Sequence, residues 1–345
     1  MVLPDVLPDS PPVAALAIVV TTAVIWVGSG WLEDSAEELS AHYGLPAVVQ
    51  GSVVVAVGSS FPELASVVFA ALAGSFSMGI GAVVGSAIFN VLVIPAASSI
   101  VADGDLDADR ALVYKEAQFY MIAVSALVIT FALAVIYFPV GGPDELGGEL
   151  TRSLAAIPLA LYGLYLFIQW QDVSDYGGGD GVGDVDVLRS WGLLALGLVT
   201  ILVSVEQLVG ALEVLNRAYG VPDFFAGVTV LAAATSLPDA LVSIRTARAG
   251  NPLTSLGNVL GSNTFDLLVA IPVGVLIVGT STVSFAVAAP MFGVLTLATI
   301  LLFTVLRTDL TLTAPESYLL LVAYAAFVGW VVAETLGVTS FLIGP

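Results

Sequence analysis

GLPAVVQGSVVVAVGSSFPELASVVFAALAGSFSMGIGAVVGSAIFN (44–90) and GVPDFFAGVTVLAAATSLPDALVSIRTARAGNPLTSLGNVLGSNTFD (220–266) are two copies of one pattern. Gly44, Pro46, Gly51, Ser60, Pro62, Gly74, Gly81, Gly85, Ser86 and Phe89 recur as Gly220, Pro222, Gly227, Ser236, Pro238, Gly250, Gly257, Gly261, Ser262 and Phe265. The offset is 176 throughout, and 15 of 47 positions are identical without a gap. Apolar composition aligns Val with Leu by chance, but it does not align glycines, prolines and serines. The chain therefore contains an internal repeat.

Around the repeat the chain is too apolar for a soluble domain. Of 345 residues 58% are hydrophobic, and mean hydropathy is +1.04. Charged residues are 10% of the chain, against about 25% in soluble domains. A single chain of this length has no core large enough to hide that much apolar surface. Apolar windows fall near 13–32, 45–72, 78–101, 117–139, 153–170, 190–212, 221–244, 253–278, 283–306 and 317–340. Each is close to the roughly 20 residues a spanning helix needs. The fold class expected is an all-α polytopic membrane protein with about ten transmembrane helices. The Gly- and Asp-rich stretch 171–188 reads as a flexible linker. It divides the chain into a first five-span half (1–170) and a second (189–345). Its carboxylates alternate with glycine, but it lacks the spacing and closing Glu of an EF-hand calcium loop. An odd number of spans per half inverts the second copy. Inverted repeats are a transporter architecture, with the substrate site at the midplane where the copies meet.

Charge narrows the partners. Acidic residues outnumber basic ones 28 to 8, for a net charge of −20. Nucleic acid and anionic headgroups both call for Lys/Arg clusters, so neither is an expected partner; the lipid bilayer is, and no protein partner is legible. Acidic, Lys-poor loops, including the run Glu33 to Glu38 read as a solvated face, suit concentrated salt and a halophilic host. No Cys is present, which removes disulfides and thiolate sites. The single His42, beside Tyr43 at a span end, reads as interfacial. The N-terminus lacks the basic n-region of a signal peptide, so the first apolar run is expected to remain as a span. With the N-terminus outside, Arg110, Lys115, Arg189, Arg245, Arg248 and Arg307 lie at cytoplasmic ends and only Arg152 and Arg217 outside. The positive-inside rule thus places both termini outside a cell membrane.

The chemistry sits in four short motifs: GSSFPE (58–63) and GSAIFN (85–90), then ATSLPD (234–239) and GSNTFD (261–266). Glu63 and Asp239 each fall near the middle of an apolar span, where a charge costs about 2.5–3.5 kcal/mol on insertion scales and usually faces a cavity or partner. With Asp266 and its counterpart Asn90 they form an oxygen-rich set. Pro62 and Pro238 lack the N–H that would bond the carbonyl four residues earlier, freeing the carbonyls of Gly58 and Ala234. Unwound backbone at that depth is tolerated where it lines a cavity. Carboxylates, carbonyls and the hydroxyls of Ser59, Ser60, Ser86, Thr235, Ser236 and Ser262 are hard donors that suit Ca2+ or Na+. Single hydroxyls elsewhere (Ser66, Ser243, Thr21, Thr22) read as groups bonded to their own helix carbonyls. Glu206 and Glu334, without repeat partners, read as interfacial or packing groups.

At these motifs the chain resembles the sodium/calcium exchanger family of the calcium:cation antiporter superfamily, in its prokaryotic type, over roughly residues 28–96 and 204–272. The resemblance implies an exchanger-like fold and Glu63 and Asp239 as the central Ca2+ carboxylates, flanked by Asn90 and Asp266. It implies hydroxyl or carbonyl ligands from Ser59, Ser60, Thr235, Ser236, Ser86 and Ser262, and outer Na+ positions at the carbonyls of Ala56 and Ala232. Departures are Asp239 for the usual Glu, Ser59 for Thr, Ala234 for Gly and Ala87 for Asn. Arg245, whose repeat mate is Phe69, is unusual on its helix.

Three ionised carboxylates carry −3, which three Na+ neutralise; with a proton on Asp266, one Ca2+ balances Glu63 and Asp239. The expectation is a secondary antiporter exchanging Na+ for Ca2+ by alternating access, with the first and sixth spans sliding. It is not an enzyme, and beyond the transported Na+ and Ca2+ no cofactor is expected. H+ or K+ coupling is the alternative. An intramembrane aspartyl protease is a remote one, because the GxGD context is absent. A channel is disfavoured by so many fixed carboxylates.

Overall fold

The computed structural model describes residues 10–44, 54, 56–102, 105–108, 110, 112–141, 146–174 and 186–341. Nine helices among them are long and apolar enough to cross a membrane: Pro11–His42, Phe76–Val101, Val113–Tyr137, Arg152–Gln171, Val187–Tyr219, Asp223–Arg248, Pro252–Val278, Phe285–Arg307 and Ala314–Thr335. We number them spans 1 and 3–10. Span 2 is represented by Ala56–Ser59 and Phe61–Leu72, the described part of the window expected at 45–72. Span 1 runs ten residues past its apolar window and carries the acidic run Glu33 to Glu38 inside the helix. The run is therefore not a loop. Of the expected linker 171–188, residues 175–185, and with them the calcium-loop reading, lie outside the described residues.

The repeat is visible in backbone angles. Gly44 and Gly220 follow spans 1 and 6 with φ of 67° and 68°, and Gly74 and Gly250 follow spans 2 and 7 with φ of 83° each. Left-handed backbone ends a helix cheaply only without a Cβ, which is why glycine recurs at these places. Prolines open helices where their missing N–H costs nothing, at Pro11, Pro62, Pro95, Pro252, Pro272 and Pro315.

Short strands qualify the all-α expectation. The strand β1 (Asp105–Asp107), between spans 3 and 4, pairs antiparallel with β5 (Thr311–Thr313), between spans 9 and 10. Between spans 4 and 5, β2 (Pro139–Val140) pairs antiparallel with β3 (Gly147–Thr151), which pairs antiparallel in turn with β4 (Thr280–Ser284), between spans 8 and 9. Each pairing is the repeat image of the other, joining the loop after the third span of one half to the loop after the fourth span of the other. Loop backbone that emerges beside the opposite half satisfies its amides there.

Small residues bring the halves together. A Cβ on Gly81 would lie 2.4 Å from the Phe224 carbonyl oxygen, and one on Gly85 2.3 Å from that of Val228. Reciprocally, a Cβ on Gly227 would meet the Met78 carbonyl oxygen at 2.1 Å. Span 3 thus lies backbone to backbone on the start of span 7, the close approach that a small-xxx-small pattern permits in a membrane. Spans 1 and 6 pack on one another outside this centre, with Gly28 against Thr200 and Ile201 and Gly197 against Leu32.

Candidate ion-binding site

The motif helices treat their prolines differently in the two halves. The first breaks at Ser60, a turn residue at φ −88° and ψ 5°, and restarts at Phe61 with Pro62 in its first turn. The second runs unbroken through Pro238 as Ala232–Arg248, and its irregularity lies one turn upstream, in a π turn at Gly227–Leu231. Pro238 leaves the Ala234 carbonyl without its helical N–H partner either way; a π turn widens the coil upstream without ending the helix.

Glu63, Asp239, Asp266, Asn90, Ser59, Ser60, Ser86, Thr235, Ser236 and Ser262 are all fully buried. Ser236 Oγ lies 3.3 Å from Glu63 Oε1 and 2.7 Å from Ser86 Oγ, which is itself 3.5 Å from that carboxylate oxygen. On the Asp239 side, Ser262 donates to Oδ1 at 3.2 Å and Asn90 Nδ2 to Oδ2 at 2.9 Å. Ser59 Oγ is 3.1 Å from Ser262 Oγ. Each carboxylate is therefore held by the serine of its own half, Ser86 or Ser262, and by a polar group from the other half. The charged neighbours of Glu63 are Asp266 and Asp239, so the three carboxylates share one buried region.

That region is short of hydrogen-bond partners. Glu63 Oε2, both oxygens of Asp266, Ser60 Oγ and Asn90 Oδ1 are buried and bonded to nothing. Asp266 faces Ser60, but without hydrogen-bond geometry. A buried polar atom left unmade costs about 1–3 kcal/mol, more if charged, and five oxygens of this hard-donor kind are the ligand type that Ca2+ and Na+ take. Among the described residues no three Asp, Glu or His groups close on a single ion by themselves. Hydroxyl, amide and carbonyl oxygens have to supply the remainder of any shell, as the hard-donor set anticipates.

Some expected ligands are engaged elsewhere. Thr235 Oγ1 donates to its own helix at Leu231 O, 3.1 Å, with Ala232 O at 3.4 Å, while facing the Glu63 carboxylate. The carbonyl of Ala56 accepts the Ser60 amide at 3.1 Å and the Ser59 hydroxyl at 3.3 Å. Thr21, Thr22 and Ser66 bond their own helix carbonyls as expected. Ser243 does not: it accepts from Asn258 Nδ2 at 3.2 Å.

Three residues around the centre escaped the sequence reading. Asn263 receives Asn90 Nδ2 at 3.1 Å and donates to Ala87 O and Tyr120 Oη, each at 3.2 Å. Its place in GSNTFD was a usable signal. Tyr120 sits in span 4 with no motif, and nothing in the sequence flags it. Glu33 lies on span 1, almost buried, beside Gly58; its membership of an acidic run concealed it.

Comparison with known proteins agrees with this architecture. An uncharacterized membrane protein of Methanocaldococcus jannaschii is 26% identical over 254 residues, covering 73% of this chain and 78% of that protein. The structure of the sodium-calcium exchanger NCX_Mj superposes with a TM-score of 0.64 at 22% identity, covering 93% of this chain and 99% of the other. The H+/Ca2+ exchanger CAX superposes with a TM-score of 0.71 at 17% identity, covering 91% and 81%. These likenesses establish a shared fold of two inverted five-helix repeats. Residues 13–171 and 189–333 match the family described as Sodium/calcium exchanger protein. With a match over most of its length, the chain belongs to the sodium/calcium exchanger family of membrane transporters.

Proposed function

We propose that this chain exchanges Na+ for Ca2+ across the cell membrane by alternating access, with both termini outside. The observation that carries the reading is the cluster of orphaned buried oxygens at repeat-related carboxylates. Glu63 and Asp239 bind Ca2+, Asn90 and Asp266 flank it, and Ser59, Ser60, Ser86, Thr235, Ser236 and Ser262 complete the shell. The carbonyls of Ala56 and Ala232 serve Na+ at the outer positions. Charge balance then enforces exclusion: one dication or a set of sodium ions neutralises the carboxylates, and the two loads compete for the same oxygens. The halves 1–170 and 189–345, joined by the linker 171–188, act as the two repeats, and spans 1 and 6 slide over the rest.

A second reading is supported by a specific observation. Asp266 has two oxygens with no partner, so it can carry a proton, and the H+/Ca2+ exchanger CAX superposes as well as the sodium-calcium one. The experiment is 45Ca2+ uptake into proteoliposomes loaded with Na+, against vesicles loaded with K+ or choline at fixed pH. Uptake that requires internal Na+ supports the proposal. Uptake indifferent to Na+ but driven by a pH gradient replaces it with proton coupling, and uptake driven only by internal K+ with potassium coupling.

A further inference from the structure

Glu33 takes no part in the exchange chemistry above, yet its surroundings are not those of a surface acid. It is 9% exposed, and its Oε1 is buried without a partner. Its Cγ lies 3.8 Å from where a Cβ on Gly58 would stand, so it packs on the first residue of GSSFPE. Its charged neighbours are Asp239, Asp34 and Arg245. One turn earlier on the same stripe of span 1, Ser29 Oγ is likewise buried and bonded to nothing. Arg245 is exposed, and no ion pair joins it to Glu33 among the described residues.

The repeat supplies a control. At the 176 offset, Glu33 corresponds to Val209 and Arg245 to Phe69. The mates Phe69 and Val209 line one small crevice, together with the acid Glu206. Both faces thus carry an acid beside this contact, Glu33 on one and Glu206 on the other, but the position held by Arg245 on the first face is Phe69 on the second.

We propose that Glu33 is a transit ligand for the cation on the face where spans 1 and 7 end, with Arg245 as the tethered counter-charge that closes this path. The inference rests on the cation-exchange reading. A carboxylate in a low-dielectric passage concentrates cations. Arginine stays charged under all working conditions, so it opposes cation passage until its long side chain swings aside. On the opposite face the equivalent place is held by the uncharged Phe69. At this contact a fixed positive charge consequently opposes passage on one face only.

The test is Ca2+ flux in proteoliposomes of uniform orientation, measured from each face in turn. Glu33→Gln raises the half-saturating Ca2+ about tenfold at the face carrying His42 and Arg248, the low end of the enrichment a charged cleft provides. Arg245→Gln lowers it at that face. The opposite face keeps its wild-type value, and the Glu33 effect shrinks as choline chloride screens the charge. Equal change at both faces, or none at either, overturns the proposal; a wild type that moves no Ca2+ overturns the exchange reading instead. Should Glu33→Gln fail to fold, Ser29→Cys in this cysteine-free chain provides an independent readout. A cationic methanethiosulfonate labels it from the same face only, and Ca2+ slows the reaction. Labelling from both faces, or from neither, is the contrary result.

Discussion

Glu63 and Asp239 occupy equivalent places in the repeat but have unequal surroundings. Asp239 has both oxygens bonded, by Ser262 and Asn90, while Glu63 leaves Oε2 bare. On the proposed exchange each is needed for a dication, so Glu63→Gln or Asp239→Asn is expected to reduce 45Ca2+ uptake to background; normal uptake by Glu63→Gln would refute the site. Asp266→Asn removes a carboxyl that can hold a proton but not the central pair. It should preserve Ca2+ exchange while flattening its pH dependence, which flux across a pH series reads directly. Ser236 touches both Glu63 and Ser86. Its replacement by Ala removes a net ~1 kcal/mol hydrogen bond, or about fivefold in half-saturating Ca2+. These residues were legible because carboxylates in apolar spans are costly and a motif that occurs twice is not accidental. Asn258 and Tyr120 were not, since a lone polar residue in a span reads the same whether it faces a neighbour or a site.

Among the elements, the two halves differ by one residue. Asn90 precedes Pro95 by five positions, whereas Asp266 precedes Pro272 by six. The structure takes up the extra residue as a π turn at Asp266–Ala270, where the first half has a simple turn at Val93. A π turn adds a residue without ending the helix, so the two prolines keep comparable places while Asp266 is set in a wider coil. The contact of span 3 with span 7 tolerates no such adjustment. Gly85→Val would drive side-chain carbon into the Val228 carbonyl and the Ala232 side chain. We expect about 3 kcal/mol or more of destabilisation, seen as a loss of monodisperse protein in detergent and a lowered melting temperature. The glycines announced close packing in the sequence, but not which helix they pack against.

For the molecule as a whole, the proposal assigns motion to spans 1 and 6 as one body. Because a Cβ on Gly28 would lie 3.2 Å from Thr200 Cβ, close to disulfide separation, cysteines at 28 and 200 should cross-link in a chain that has none of its own. If the two spans slide together, the oxidised double variant exchanges ions like the reduced one. A block relieved by dithiothreitol would show that they move past each other. The paired strands lie outside this moving pair, tying span 3–4 and 8–9 loops to the opposite half. At two and three residues β2, β1 and β5 are too short to have been read from a pattern that needs four or more alternating positions, and the five-residue β3 (GGELT) and β4 (TSTVS) carry no strict apolar–polar alternation.

The sequence alone determined the class, the repeat, its inversion and the pair of carboxylates repeated in apolar spans, because each follows from composition, parity or a costly residue repeated. Tertiary structure decided what depends on neighbours distant in the chain. It placed Ser236 on Glu63 and Asn90 on Asp239 across the two halves, matched the strands at repeat-related loops, and buried Glu33 out of an acidic run. Hydrophobic periodicity records whether a residue faces lipid or protein; it carries no information on which partner meets it, since that is set by where two inverted halves close on each other.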